Sequence, residues 1–197
     1  GIGLDGRIGL KFLHAGPGYG GSCFPKDTLA LIETGKKYGA RQKIVETVVK
    51  VNSEIKMRMV EKILKADAEG VSGKILCFLG ITFKPNTDDM REAPSLTIIP
   101  EMIKNGATVR VFDPQGQREG RALLGSVDWF ENPYEASTGA DILVILTEWN
   151  EFRALNLSNI SKSMRKPILI DLRNVYSETE AKAAGFKKYI SIGRKDL

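Results

Sequence analysis

Cys23 ends a side-chain-poor run, Gly16-Pro17-Gly18-Tyr19-Gly20-Gly21-Ser22-Cys23-Phe24-Pro25-Lys26-Asp27. The glycines let a ligand or another stretch of backbone come close. Lys26 would favour the thiolate, the nucleophilic form of cysteine. Asp27 lies four residues beyond the thiol, and in a helix the two would share a face. A cysteine between oxyanion-accepting backbone and a carboxylate suits covalent acyl chemistry. The residue types equally allow a buried structural cysteine. His14 is either a base for Cys23, as in a thiol hydrolase, or a solvent-facing or backbone-capping residue. Cys77 sits inside an apolar run and reads as core.

Further candidates stand where strands are expected to end. Lys84 follows the run Ile75–Leu79 and Arg173 follows 166–172, the places where α/β sheets bind ligands. Asp113 also ends a strand. It is placed either to bind a ribose or, with Pro114, to make a turn. Arg7 and Arg91 are as easily surface ion pairs as ligand contacts.

The elements that would position these residues follow from periodicity. Residues 1–26 read as loop with short helical pieces, and Asp27 as the N-cap of a helix to about Tyr38. Residues 42–69 form the clearest helix, with Ile44, Val48, Ile55, Met59 and Ile63 as its stripe and Gly70 and Gly73 as its stop. From Lys74 strands alternate with short helices. Strands are expected at 75–79, 108–112, 127–130, 141–147, 166–172 and 189–192. Helices are expected at 96–104, 117–124, 134–137, 157–164 and 178–184. The fold class is α/β: a helical segment followed by a doubly wound parallel sheet. The domain division is 1–70 and 71–197.

Two stretches match G-x-G-x-x-G by letter, Gly1 to Gly6 and Gly16 to Gly21. A dinucleotide fingerprint needs a strand before it and a helix after it. Neither stretch has both, so neither is read as one. The charge is +5 over 197 residues, with basic residues dispersed. That argues against nucleic acid and suits an anionic small ligand. Two cysteines and one histidine make no common metal site. No apolar run is long enough to cross a membrane. No secretory signal is visible, and the two cysteines suit a reducing, cytoplasmic compartment. The chain opens without Met and in mid-pattern, as a fragment of a longer protein would.

Three blocks carry a resemblance. They are Gly3-Leu-Asp-Gly-Arg7-Ile-Gly9 with Phe12, Leu13 and Ala15 to Asp27; Gly80-Ile-Thr-Phe-Lys-Pro-Asn-Thr-Asp-Asp-Met-Arg-Glu-Ala-Pro-Ser95; and Ile170-Asp-Leu-Arg-Asn174. In this order, over the whole chain, they resemble the UDP-glucose/GDP-mannose dehydrogenase family. The resemblance implies a Rossmann-like UDP-binding domain and NAD-dependent oxidation of a sugar C6 hydroxyl to a carboxylate. Cys23 would form a thiohemiacetal and then a thioester, and Asp27 would position the hydrolytic water. Lys26 and Arg91 would meet NAD. Phe12, Leu13, His14, Gly16 and Gly20 would wrap the sugar and diphosphate, with Lys84 and Arg173 on the nucleotide. Arg7 would reach the substrate from a neighbouring subunit of a homodimer or larger homo-oligomer. The forms Cys-Phe-Pro-Lys-Asp and Pro-Gly-Tyr-Gly-Gly favour UDP-glucose over GDP-mannose or a UDP-amino sugar as substrate. The family's NAD-binding domain, and its segment with a catalytic lysine and asparagine, have no counterpart here. The chain alone is therefore expected to be inactive, serving as a nucleotide-sugar-binding module.

Overall fold

The computed structural model describes residues 1–10 and 13–194. Six parallel strands form one sheet: β1 Ile75–Leu79, β2 Thr108–Phe112, β3 Asp128–Trp129, β4 Ile142–Ile145, β5 Ile168–Asp171 and β6 Lys188–Ser191. Their order is β3-β2-β1-β4-β5-β6. β1 and β4 are unbroken apolar runs, and β5 is one up to Asp171, because a central parallel strand is covered on both faces. Leu76 and Phe78 of β1 join one core layer with Met59, Ile63, Ile98 and Met102. Cys77 and Leu79 join the other with Phe152, Ile160 and Tyr189. Burial pushes the Cys77 thiol up to about 12, as for an inert core residue. Strand order reverses between β1 and β4. At such a reversal an open α/β sheet binds ligands, at the carboxyl ends of its strands.

Among the described residues seven α-helices accompany the sheet: α1 Cys23–Lys37, α2 Lys43–Leu64, α3 Ser95–Lys104, α4 Gln117–Leu123, α5 Pro133–Ser137, α6 Leu157–Ser163 and α7 Glu178–Ala183. Local chemistry starts several of them. Asn132 Oδ1 accepts from the Tyr134 N–H at 2.8 Å, and Ser177 with Glu180 forms a capping box. No helix among the described residues is long and apolar enough to cross a membrane.

Several boundaries differ from expectation. Helix α1 starts at Cys23 and not after Asp27, with Ser22 in the cap position. Pro25 is compatible because a proline in the first turn gives up an N–H that has no helical acceptor. Helix α2 ends at Leu64, five residues early. Beyond it Asp67 turns inward to Lys74 at 2.5 Å and Lys166 at 2.6 Å. Strands β3, β4 and β5 are shorter than expected. At the foot of β4, Asp141 meets Ile75 twice, its N–H donating to the Ile75 carbonyl and its carboxylate accepting the Ile75 N–H, both at 2.8 Å. Among the described residues the 3-10 turn Ile2–Leu4 is one of the short helical pieces expected in 1–26, whereas the one at Asn150–Ala154 was not anticipated.

The buried stripe of α2 keeps the expected Met59 and Ile63 but not its N-terminal part. Ile44 is 81% exposed, and Val48 and Val51 are exposed too. The buried positions are Asn52, Lys56, Met59, Val60 and Ile63. Only the C-terminal half of α2 lies on the sheet's core layer. Its middle turns face the segment that carries Cys23.

Candidate functional site

Cys23 is the first residue of α1, and its side chain is free and exposed. A helix N-terminus presents unpaired N–H groups to any negative charge that develops beside it. Helical structure at once places Asp27 one turn along on the same side. Asp27 is exposed, 3.7 Å from Lys26, in the kind of surface pair that contributes little to stability. Tyr19 packs edge-to-face on Phe24, with ring centroids 4.7 Å apart.

The loop before Cys23 is held by close contacts that only glycine permits at two points. Gly18 has φ +111°, and a Cβ there would lie 2.8 Å from Asn52 Oδ1. A Cβ on Gly20 would lie 2.5 Å from the Glu92 carbonyl oxygen. Next to it the Gly21 N–H donates to the Arg91 carbonyl at 2.7 Å. Further back, Gly16 lies against the Arg173 guanidinium, with Nη1 2.8 Å from a built Cβ. The loop thus touches both other sequence blocks that carry the family resemblance.

Arg173 leaves the end of β5 and is largely buried. Its Nε donates to the Leu146 carbonyl at 2.8 Å and faces Glu148 Oε2 at 3.0 Å. Its Nη2 donates to the Phe83 carbonyl at 3.3 Å. Burial draws the guanidinium below its ordinary range, and Glu148 opposes that. One side chain therefore ties the exits of β1, β4 and β5 together beneath Gly16. Lys84 is exposed, with its ammonium 5.3 Å from the Phe83 ring centroid. Lys84 and Arg173 are thus the two cations at the exits of β1 and β5, one exposed and one largely buried.

Asp113 is not free to bind a ribose. It is buried, and its carboxylate accepts from the N–H groups of Ile81 at 2.7 Å, Gln115 at 2.9 Å and Gly116 at 2.6 Å. The Trp149 indole also donates to it at 3.3 Å. The turn-making role holds. The same bonds use up the N–H groups after β1, where a Rossmann sheet would cradle a pyrophosphate. This sheet therefore does not fit a dinucleotide in the usual position.

The remaining candidates fall in three places. Arg91 is exposed and grips Asp89 through two bonds, Nε at 3.0 Å and Nη2 at 2.8 Å. Asp89 raises its pKa first, and Cys23 is near enough to add to the effect. Arg7 is exposed and paired in the same way with Asp5, at 3.0 and 2.6 Å. That is the surface ion pair its sequence allowed. Leu13 and His14 are exposed. Phe12 lies outside the described residues. Sequence reading missed Asn52, Lys56 and Glu148. For the first two a signal existed: polar residues at four-residue spacing in line with Met59 and Ile63.

A six-stranded Rossmann-like sheet, with an exposed cysteine loop docked on its carboxyl edge, defines the class: an α/β nucleotide-binding domain joined to a thiol-bearing helical segment. Two family descriptions match the chain. The UDP binding domain of the UDP-glucose/GDP-mannose dehydrogenase family matches residues 77–178, and the central domain of that family matches residues 1–54. The chain belongs to this family. It is 50% identical over 196 residues to the UDP-glucose 6-dehydrogenase of Rhizobium meliloti (strain 1021), covering all of this chain and 45% of that protein. It is 43% identical to the UDP-glucose 6-dehydrogenase TuaD of Bacillus subtilis (strain 168), covering 98% of this chain and 42% of that one. A UDP-glucose dehydrogenase structure from the hyperthermophilic archaeon Pyrobaculum islandicum superposes with a TM-score of 0.79 at 36% identity, covering 96% of this chain and 41% of that chain. The chain thus spans less than half the length of these relatives.

Proposed function

We propose that this chain is the thiol-bearing and UDP-binding part of a UDP-glucose 6-dehydrogenase, divided near residue 70 into a cysteine-loop and helical part and a nucleotide-binding part. One observation carries the reading: the Cys23 loop rests on Arg173 and on the segment that carries Lys84 and Arg91, so all three meet at one sheet edge. Lys84 and Arg173 hold the diphosphate, and the loop from Leu13 to Gly20 lies along the sugar. Cys23 adds to the C6 carbonyl carbon and keeps that carbon bonded to sulfur until hydrolysis. Asp27, one turn along, aligns the water that releases the carboxylate and returns the thiol. NAD, held outside this sheet, would supply the hydride acceptor, one molecule for each of the two oxidation steps. Lys26 and Arg91, exposed on the Cys23 side, are the residues able to reach it.

The exposed apolar residues of α2, Ile44, Val51 and Met57, support a homodimer or larger homo-oligomer of the full-length protein. Two free cysteines without a disulfide suit a cytoplasmic setting.

Thermal denaturation with UDP, GDP and their sugars tests this. At a hundredfold excess over Kd a ligand stabilises by about 2.7 kcal/mol. For a chain of this size that raises Tm by roughly 5–10 °C. UDP and UDP-glucose are expected to give such a rise and GDP a much smaller one. No rise with UDP, or an equal one with GDP, would remove the assignment.

A further inference from the structure

Two polar side chains on the buried face of α2 have no part in the chemistry proposed above. We propose that Asn52 and Lys56 are positioning residues: together they form a brace that fixes the Cys23 loop against the segment carrying Lys84 and Arg91. The inference builds on the reading of Cys23 as the nucleophile and adds the device that aims it.

The bonds close a ring. Asn52 pairs with Tyr19 twice, its Oδ1 accepting the Tyr19 N–H at 2.8 Å and its Nδ2 donating to the Tyr19 carbonyl at 3.2 Å. This copies a strand pairing, so it sets orientation as well as distance. One turn further along α2, the Lys56 ammonium donates to the Glu92 carbonyl at 2.9 Å. Glu92 has φ +52°, a conformation a non-glycine residue holds only when its surroundings require it. Its carbonyl is the one against which Gly20 is packed, and the carbonyl before it receives the Gly21 N–H. The path from Asn52 through Tyr19, Gly20 and Gly21 to Arg91 and Glu92 therefore returns through Lys56 to the same helix.

Both side chains are only 8% exposed. Burying an amide and an ammonium costs free energy that a leucine here would not, unless each bond is made. What the polar pair adds over leucine is direction. A helix is the stiffest element available to hold two loops in register, and a site needs its groups held to within a fraction of an ångström. Burial lowers the Lys56 pKa and Glu92 opposes that, consistent with a cation kept for its bonds.

The test has two arms. In the first, amide hydrogen exchange is followed at Gly21 without ligand. Lys56→Met removes a bond to Glu92, one residue beyond the partner of Gly21. It is expected to speed Gly21 exchange about tenfold or more. Lys56→Arg, which still donates, is expected to restore most of the protection. Should Lys56→Met fail to fold, Asn52→Ser decides by the same amide. Unchanged Gly21 exchange in a folded variant overturns the brace. In the second arm, iodoacetamide labels Cys23 with and without UDP-glucose. UDP-glucose is expected to protect the thiol in the unaltered chain. In Lys56→Met it is expected to bind within about threefold of the original affinity, because Lys84 and Arg173 remain, yet protect poorly. Equal protection in both overturns the brace. Absence of protection in the unaltered chain would count against the functional reading, and the amide arm would still decide the brace.

Discussion

Gly20 and Gly16 distinguish two ways in which a small residue can matter. A methyl on Gly20 meets the backbone carbonyl of Glu92 at 2.5 Å. That oxygen is held by Lys56, so one of the two loops must shift. Overpacking of this kind costs about 1–3 kcal/mol. A methyl on Gly16 meets Arg173 Nη1 at 2.8 Å, the far end of a side chain. Some adjustment is open to it, and the cost is expected to be about 1 kcal/mol or less. Urea unfolding should therefore show a clear loss of midpoint for Gly20→Ala and a small one for Gly16→Ala. Their effects on UDP affinity should be in the reverse order, because Gly16 lies on the guanidinium that would meet the phosphates. Equal midpoint losses would mean that the Glu92 carbonyl is not held.

At the level of elements, strands were legible wherever burial on both faces forces a continuous apolar run, as in β1, β4 and β5. Helices were legible where caps or glycines mark them. The three blocks that converge on the site were legible as residue types. The brace was legible only as two polar residues in line with Met59 and Ile63, because their partners Tyr19 and Glu92 are far away in sequence. The start of α1 was misplaced because Asp27 is a good capping type, whereas the cap is Ser22 and Pro25 is tolerated in the first turn. The early end of α2 has a testable cause. Asp67 is buried between Lys74 and Lys166. Burial works to raise its pKa and is outweighed by Lys166 and Lys74, so the net shift is down. A lowered folded pKa means stability that is present above the unfolded value near 3.8 and is lost as pH falls below it. The acid limb of a stability–pH curve should therefore carry an Asp67 contribution. Asp67→Asn should cost about 1–3 kcal/mol at pH 7, since the Lys74 and Lys166 ammonium groups keep only the more distant Glu69 carboxylate, at 3.4 and 3.7 Å, and should flatten that limb. An unchanged acid limb would show that the pair contributes no net stability.

Across the molecule, ligand binding and stability are entwined at one cation of the sheet edge and separable at the other. Arg173 joins the exits of three strands and carries the Glu148 carboxylate. Arg173→Met leaves two carbonyls and a charge without their partner, at about 3–5 kcal/mol, so weaker UDP binding would come with a lower Tm. Lys84 stands exposed beside Phe83, and Lys84→Met should leave the ligand-free Tm almost unchanged, within about 0.5 kcal/mol of stability. Its charge would meet the diphosphate beside Arg173, so its loss should weaken UDP binding about tenfold, the worth of one charge-assisted bond. Added salt separates the two effects further. The Debye length falls from about 10 Å at 0.1 M to about 3 Å at 1 M, which screens an exposed lysine far more than a buried guanidinium. UDP affinity in the unaltered chain should fall with salt, and in Lys84→Met it should fall less. Calorimetric titration at two salt concentrations measures both. If Lys84→Met binds UDP as tightly as the unaltered chain at low salt, the diphosphate does not sit beside Lys84 and Arg173, and this sheet edge loses its claim to be the nucleotide site.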